Sequence, residues 1–164
     1  MTNDLSAGEL ANAAPPTLRK RIPGVLTASE AATLTIGKHS FGHPLVARCI
    51  EAMQAEAPDA SIEPPAYCRV ERHKDGHDWH ADTGDSDHML WCAYSGSVLL
   101  SPPEKFKGGW FEFADPIERY RHYLDLLVYS SDNVHRVTSH TGERRVLLMF
   151  LGKNEWLQKS ISAT

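Results

Sequence analysis

Cysteine is scarce in this chain of 164 residues: Cys49, Cys68 and Cys92 are odd in number, widely spaced and include no Cys-x-x-Cys pair. That excludes a disulfide framework and a zinc ribbon, and three reduced, packed thiols are the expectation. No apolar run approaches the roughly 18 residues that a membrane-spanning helix needs. The first residues, MTNDLSAGELANAAPP, carry an early acidic residue and lack the apolar segment of a secretory signal, so a cytoplasmic location is expected. Basic residues are not in excess. With 17 Lys and Arg against 21 Asp and Glu, the formal charge of −4 argues against a broad nucleic-acid footprint. Internal repeats are missing, and so is the His-Glu-x-x-His motif that would give a zinc hydrolase its ligands and general base.

What remains is an ordinary globular composition, 41% hydrophobic and 23% charged, long enough for one domain over residues 1–164. Residues 1–16, closed by Pro15-Pro16, read as a mobile arm or short docking helix. Residues 17–60 read as supporting helices. Leu18 to Leu26 carries Arg19, Lys20 and Arg21 ahead of Pro23-Gly24 and reads as an exposed segment followed by a turn. Thr27-Ala-Ser-Glu30 is a capping box that opens a short helix to about Ile36. Pro44 opens a second helix to about Ala57, with Leu45, Val46, Cys49, Ile50 and Met53 on one core-facing stripe. Beyond Pro64-Pro65 the texture changes to short β-favouring runs: Ala66 to Arg72, Trp79 to Asp82, Leu90 to Leu100, Trp110 to Phe113, Tyr123 to Tyr129, His135 to Ser139 and Arg144 to Leu151. Helices followed by many short strands predict a mainly β, α+β chain, an antiparallel barrel or sandwich over residues 66–152 with helices on one side.

The stretch Ala66 to Asp82, AYCRVERHKDGHDWHAD, ends in His80-Ala-Asp82. In an extended strand residues i and i+2 share a face, so an imidazole and a carboxylate project side by side. With 9 His and 10 Asp, chance alone supplies roughly half of one such match, so the pattern decides nothing unaided. His73-Lys74-Asp75 has the same spacing, but Lys-Asp-Gly76 is a turn signature that bends the backbone, whereas His80 follows Trp79, a strand-favouring residue. A second imidazole is expected from His135, at the end of the apolar run LVYSSDNVHRV. Two His and one carboxylate on one face of a metal leave the other face open, the arrangement of non-haem Fe(II) oxygenases.

From Tyr67 to Leu151 further features follow in order. Gly76 precedes His80-x-Asp82; Gly108-Gly109 leads into WFEF; LDLLVYSS runs toward His135; and Gly142-Glu143-Arg144 introduces RVLLMFLG, with Arg144 nine residues beyond His135. This half of the chain resembles the Fe(II)/2-oxoglutarate-dependent dioxygenases, in particular their prolyl 4-hydroxylase-like branch. The resemblance implies a double-stranded β-helix, a jelly-roll or cupin-like core, with His80, Asp82 and His135 as iron ligands. It also implies that Arg144 holds the far carboxylate of 2-oxoglutarate, for which a guanidinium offers two parallel donors. Arg145 is the alternative, since a one-residue shift in register turns a strand side chain to the opposite face. The implied activity consumes O2 and 2-oxoglutarate, releases succinate and CO2, and hydroxylates an unactivated C–H.

The chain departs from that pattern in two places. Where prolyl 4-hydroxylase-like members carry a tyrosine, this chain has Arg72 and His73, each a cosubstrate contact or a surface residue. Val98-Leu99-Leu100 also lacks a tyrosine, leaving Tyr94 or Tyr67 as substitutes and the second contact to 2-oxoglutarate unassigned. Trp79 and Trp91 are expected to pack in the core or at the barrel rim. His77, ahead of a turn-rich segment, and His140, placed in a hairpin tip, are not expected to be ligands; His88 is expected to be solvated, and Thr83 to Met89 forms a candidate lid. A second functional class stays open, a cupin-like binding protein that keeps the metal and not the reaction, against which Arg144 counts. A small molecule, a free amino acid and a peptidyl residue all fit as substrate, and the small size of the chain tilts the choice toward a free small molecule.

Overall fold

In the computed structural model, which describes residues 18–83 and 89–154, the capping box closes as its spacing requires. The Glu30 backbone N–H donates to the Thr27 hydroxyl at 3.2 Å, and the Thr27 N–H donates to the Glu30 carboxylate at 2.9 Å. The resulting helix α1 (Ala28–Thr33) stops short of Ile36, because Leu34 turns extended and is wholly buried. Core burial of that one side chain overrides the local helical preference. Helix α2 (Pro44–Glu56) has proline in its first turn, and the His43 ring caps it by accepting from the Leu45 N–H at 3.1 Å. Val46, Cys49, Ile50 and Met53 are buried on its expected stripe.

The segment from Leu18 corrects one expectation. Arg19–Ile22 is strand β1; Lys20 and Arg21 are exposed as expected and a turn follows, but Arg19 is half-buried. Arg19 lies over the Phe113 ring at 4.5 Å and donates to Asn133 Oδ1 at 2.7 Å and to the carbonyls of Ala114 and Pro116 at 2.7 and 2.8 Å. A guanidinium satisfied by distant carbonyls is half-buried at little cost, and its own neighbours in sequence do not reveal it. Residues 17–60 also contribute β2 (Gly37–His39) and β3 (Ala60–Ser61) beside the two helices. Then come β4 (Tyr67–His73), β5 (His77–His80), β6 (Tyr94–Leu99), β7 (Phe106–Gly108), β8 (Phe111–Phe113), β9 (Glu118–Tyr120), β10 (Leu126–Ser130), β11 (His135–Val137), β12 (His140–Gly142) and β13 (Arg144–Lys153). Besides β1, the strands absent from the sequence reading, β2, β3, β7, β9 and β12, are two or three residues each, too short for alternation to register.

Among the described residues every strand-to-strand ladder is antiparallel, with one parallel bridge between Leu99 and Tyr123. The larger sheet runs β1-β10-β6-β13-β4-β2, with β3 on β13; the smaller runs β5-β11-β8-β9, and β7 pairs β12. Side-chain parity divides the larger sheet into two faces. Cys68 and Val70 of β4, Val98 of β6, Leu126 and Val128 of β10, and Leu147, Met149 and Leu151 of β13 pack with the helices. Their alternates face the smaller sheet, where Leu127 and Tyr129 meet Phe111, Phe113 and Val137. Gly96 lets α2 sit close on β6, since a Cβ there would lie 2.6 Å from the Met53 sulfur. The space between the two sheets is where the chemistry-bearing side chains collect.

Candidate metal centre

Strand pairing places the two imidazoles. His135 of β11 is in register with His80 of β5, which brings their ring centroids to 4.4 Å. On the other side of β11, Phe111 of β8 stacks on His135 at 4.9 Å and 11° between planes. Asp82 arrives by a different route from the one its spacing suggests. Strand β5 spans His77–His80 and not Trp79 to Asp82, so Asp82 lies beyond its end. There the N–H groups of Asp82 and Thr83 both donate to the Ser131 carbonyl, at 3.0 and 3.2 Å, which anchors the bend to the end of β10. The Lys74-Asp75 bend of the rival motif forms as expected, with Asp75 Oδ1 accepting from the Gly76 N–H at 2.7 Å.

Each imidazole is oriented from behind. Nδ1 of His80 lies 2.7 Å from the Asp78 carbonyl and Nδ1 of His135 lies 2.9 Å from the Asn133 carbonyl. A carbonyl only accepts, so both Nδ1 atoms carry a hydrogen, and Nε2 is the atom of each ring left to donate to Asp82 or, once deprotonated, to bind a metal. Those Nε2 atoms face Asp82 Oδ1 at 3.6 Å for His80 and 3.4 Å for His135, and the three ligand atoms lie within 4.8 Å of one another. A metal bound about 2.1 Å from three ligands on one octahedral face needs them about 3 Å apart, so the two nitrogen–oxygen distances would each shorten by about half an ångström around an ion. Burial opposes ionisation of Asp82, but its interactions with His135 and then His80 outweigh burial and hold the carboxyl well below the usual range. The same contact with Asp82 raises the His80 imidazole above its ordinary value.

Beside this group opens a cavity of about 230 Å³ lined by Tyr67, His73, Phe111, Leu148, Phe150 and Arg144, among others. Parity in β13 separates the two arginines: Arg144 shares the inward face with Val146 and Leu148, whereas Arg145 points to the helix side and donates to the Leu34 carbonyl. Arg144 is 4% exposed. It donates from Nε to the Gly109 carbonyl at 3.2 Å and from Nη1 to His73 Nδ1 at 3.0 Å, and His73 Nε2 in turn donates to Glu71 at 2.8 Å. Among the described residues no carboxylate forms an ion pair with Arg144, and burial followed by the neighbouring charge of Arg121 lowers it to about 10. Gly109 keeps the guanidinium in place: its φ is +65°, and a Cβ there would lie 3.0 Å from Arg144 Cδ.

Of the two residues standing where a tyrosine was expected, His73 faces the cavity and Arg72 is exposed toward Glu143. Tyr94 is not a substitute, because its hydroxyl donates to Asp59 at 2.7 Å and its ring packs on the helix side; Tyr67 lines the cavity. Two histidines are placed differently from their sequence reading. His77 belongs to β5 and lines the cavity, 4.4 Å from the His73 ring. His140 is buried in β12 against Phe106, not in a hairpin tip, because its strand pairs with β7. Trp79 is 41% exposed at the rim, its ring covered by the Arg136 guanidinium at 4.4 Å, and Trp91 packs near Tyr67. His88 and most of the candidate lid, like the residues 1–16 read as an arm, lie outside the described residues. Sequence reasoning missed Glu71, which braces His73, and Tyr129, whose hydroxyl donates to Asp82 Oδ2 at 2.9 Å. Tyr129 carries no local signal, since it acts on a residue 47 positions away, whereas Glu71 braces His73 from two residues back in the same strand.

No protein-family model matches the sequence, and no curated protein matches it either. Solved structures do match. A Burkholderia pseudomallei oxidoreductase of the 2OG-Fe(II) oxygenase family superposes with a TM-score of 0.57 at 16% identity, covering 93% of this chain and 92% of that one. A Pseudomonas putida prolyl-4-hydroxylase gives 0.61 at 15% identity, over 82% of this chain and 92% of its own. This chain has the jelly-roll fold of the 2-oxoglutarate and Fe(II) oxygenases. The viral collagen prolyl hydroxylase of Paramecium Bursaria Chlorella virus-1, solved as its 2OG complex, shares the fold with a TM-score of 0.61 at 14% identity, over 82% of this chain and 95% of that one. At these identities the likeness is one of architecture, and the chemistry is argued from the side chains.

Proposed function

We propose that the protein is a non-haem Fe(II)/2-oxoglutarate-dependent oxygenase that hydroxylates an unactivated C–H of a small molecule, an amino acid or a peptidyl residue. The observation that carries this reading is Arg144. Among the described residues, a buried guanidinium without a carboxylate ion pair shares one cavity with a His-Asp-His group whose ligand atoms converge. Burying an unpaired cation costs several kcal/mol, a cost that a ligand carboxylate offsets. A dicarboxylate that bridges Arg144 and a metal fits that demand.

In this reading Nε2 of His80, Nε2 of His135 and Oδ1 of Asp82 hold Fe(II), and Arg144 binds the far carboxylate of 2-oxoglutarate. When bound, the iron and its cosubstrate supply the oxidising chemistry with O2, giving succinate and CO2. The protein's own part is placement. Asp78 and Asn133 fix the imidazole tautomers; His73, its Nε2 hydrogen committed to Glu71, accepts from Arg144 and sets the tilt of the guanidinium; Val146 and Leu148 supply an apolar wall for the methylene carbons. A neutral His73 held this way has no hydrogen left to offer a ligand, so it orients Arg144 and is not a second donor. The modest cavity favours a compact substrate or a single side chain over a large rigid one.

The test is succinate formation by purified protein with Fe(II), 2-oxoglutarate and candidate substrates. It is expected to need iron and to disappear in His80→Ala, Asp82→Ala and His135→Ala. Turnover that survives these changes rejects the proposal, and metal binding with no affinity for 2-oxoglutarate points to the cupin-like binding protein.

A further inference from the structure

We infer that Tyr129 is a positioning residue that restricts Asp82 to one metal-binding oxygen and so keeps coordination positions free for the cosubstrate; this rests on the iron and 2-oxoglutarate reading above. The two oxygens of Asp82 have different surroundings. Oδ1 faces Nε2 of both histidines, at 3.6 and 3.4 Å. Oδ2 accepts from the Tyr129 hydroxyl at 2.9 Å. An ionised carboxylate only accepts, so the phenol is the donor, and an oxygen engaged this way has a lone pair turned from the metal side.

The donor is held rigidly. Tyr129 is 2% exposed, and its ring sits among Phe111, Phe113 and His135 at centroid distances of 5.4, 5.3 and 5.0 Å. Behind the carboxylate, the Ser95 hydroxyl interacts with both Asp82 and Tyr129 and bonds to Ser131 Oγ at 3.0 Å, which in turn meets Cys92 Sγ at 3.0 Å. The whole line is buried, and the Ser131 carbonyl also anchors the Asp82 bend, so β6 and β10 together fix the rotation of the carboxylate.

The rotation matters because carboxylates bind metals through one oxygen or two. Two imidazoles and one oxygen leave three of six positions, enough for a chelating keto acid and one further ligand. A second carboxylate oxygen would occupy one of the three. Removing only the phenol oxygen, in Tyr129→Phe, therefore frees Asp82 to bind through both oxygens. Metal affinity then stays close to the parent, within about threefold, while 2-oxoglutarate affinity falls by about tenfold, the low end of what partners behind metal ligands contribute.

The experiment loads parent, Tyr129→Phe and Phe113→Leu with Co(II), records the visible spectrum, and titrates first metal and then 2-oxoglutarate, with circular dichroism as the check on folding. Phe113→Leu disturbs the same aromatic cluster and leaves the hydrogen bond in place. A Co(II) spectrum altered in Tyr129→Phe alone, with retained metal affinity and the tenfold loss for 2-oxoglutarate, is the expected result. Unchanged spectra and affinities overturn the inference, as does an equal effect of Phe113→Leu or a loss of metal binding itself. A parent that binds Co(II) but no 2-oxoglutarate rejects the oxygenase reading, and the Co(II) spectra still decide the role of Tyr129.

Discussion

Replacing Arg144 with methionine separates ligand binding from folding more sharply than any other single change. Burial that pulls this guanidinium from 12.5 to about 10 amounts to about 3 kcal/mol of unfavourable charge burial. Its two hydrogen bonds, to the Gly109 carbonyl and His73, return about 1.5–3 kcal/mol each as charge-assisted bonds. Methionine removes both contributions and fills much of the space, so the stability of the ligand-free protein should stay within about 3 kcal/mol of the parent. Binding behaves differently. Losing one partner of a buried charge pair costs about 3–5 kcal/mol, or two to three and a half powers of ten in affinity. With Ni(II) in the site and 2-oxoglutarate at about 100 times its Kd, the parent gains about 2.7 kcal/mol, a rise in Tm of about 5–11 °C. A variant weakened about a hundredfold gains only about 0.4 kcal/mol at the same concentration, or about 1–2 °C. Arg145→Met, which alters the helix side of the sheet, should keep the full rise. The reasoning is refuted if Arg144→Met retains the parent's ligand-induced shift, and the two arginines exchange roles if Arg145→Met loses it.

Two further predictions concern the scaffold. Burial pushes the thiols of Cys49 to about 12 and of Cys68 and Cys92 to about 11, so none should react with iodoacetamide at pH 8 until the protein is unfolded, when three equivalents should react; one equivalent labelled in native protein would contradict the packing. Glu30 is held down to about 2, first by its hydrogen bond from Arg48 and then by the Thr27 N–H. A carboxyl lowered on folding stabilises above its unfolded value near 4.5 and loses that contribution as pH falls toward 2. Glu30→Gln should flatten the acid limb of a urea-midpoint profile in that window, and profiles that run parallel would remove the role assigned to the ion pair.

Much of this architecture is legible in the chain because the signals are local. The Thr27-x-x-Glu30 box, Pro44 ahead of an apolar stripe, and the β-favouring apolar run from Val146 to Leu151 each reflect forces acting within a few residues, and each element forms where its pattern lies. Signals weaken where distant groups decide. Arg19 reads as surface charge because Phe113, Asn133 and the 114–116 carbonyls that receive it are about a hundred residues away. His140 reads as a turn residue because nothing nearby announces its pairing with Gly108.

The sequence by itself carried the fold class and named the candidate ligands, since side-chain chemistry and spacing are written in the order of residues. Only the tertiary structure decided how they meet. Strand register set His80 beside His135, a bend hydrogen-bonded to Ser131 carried Asp82 to them, and the parity of β13 turned Arg144 inward and Arg145 out. Tyr129 became visible last, because an outer partner is defined by the atom it touches, and its contact with Asp82 exists only once β10 has paired with β6 and the bend beyond β5 is anchored to Ser131.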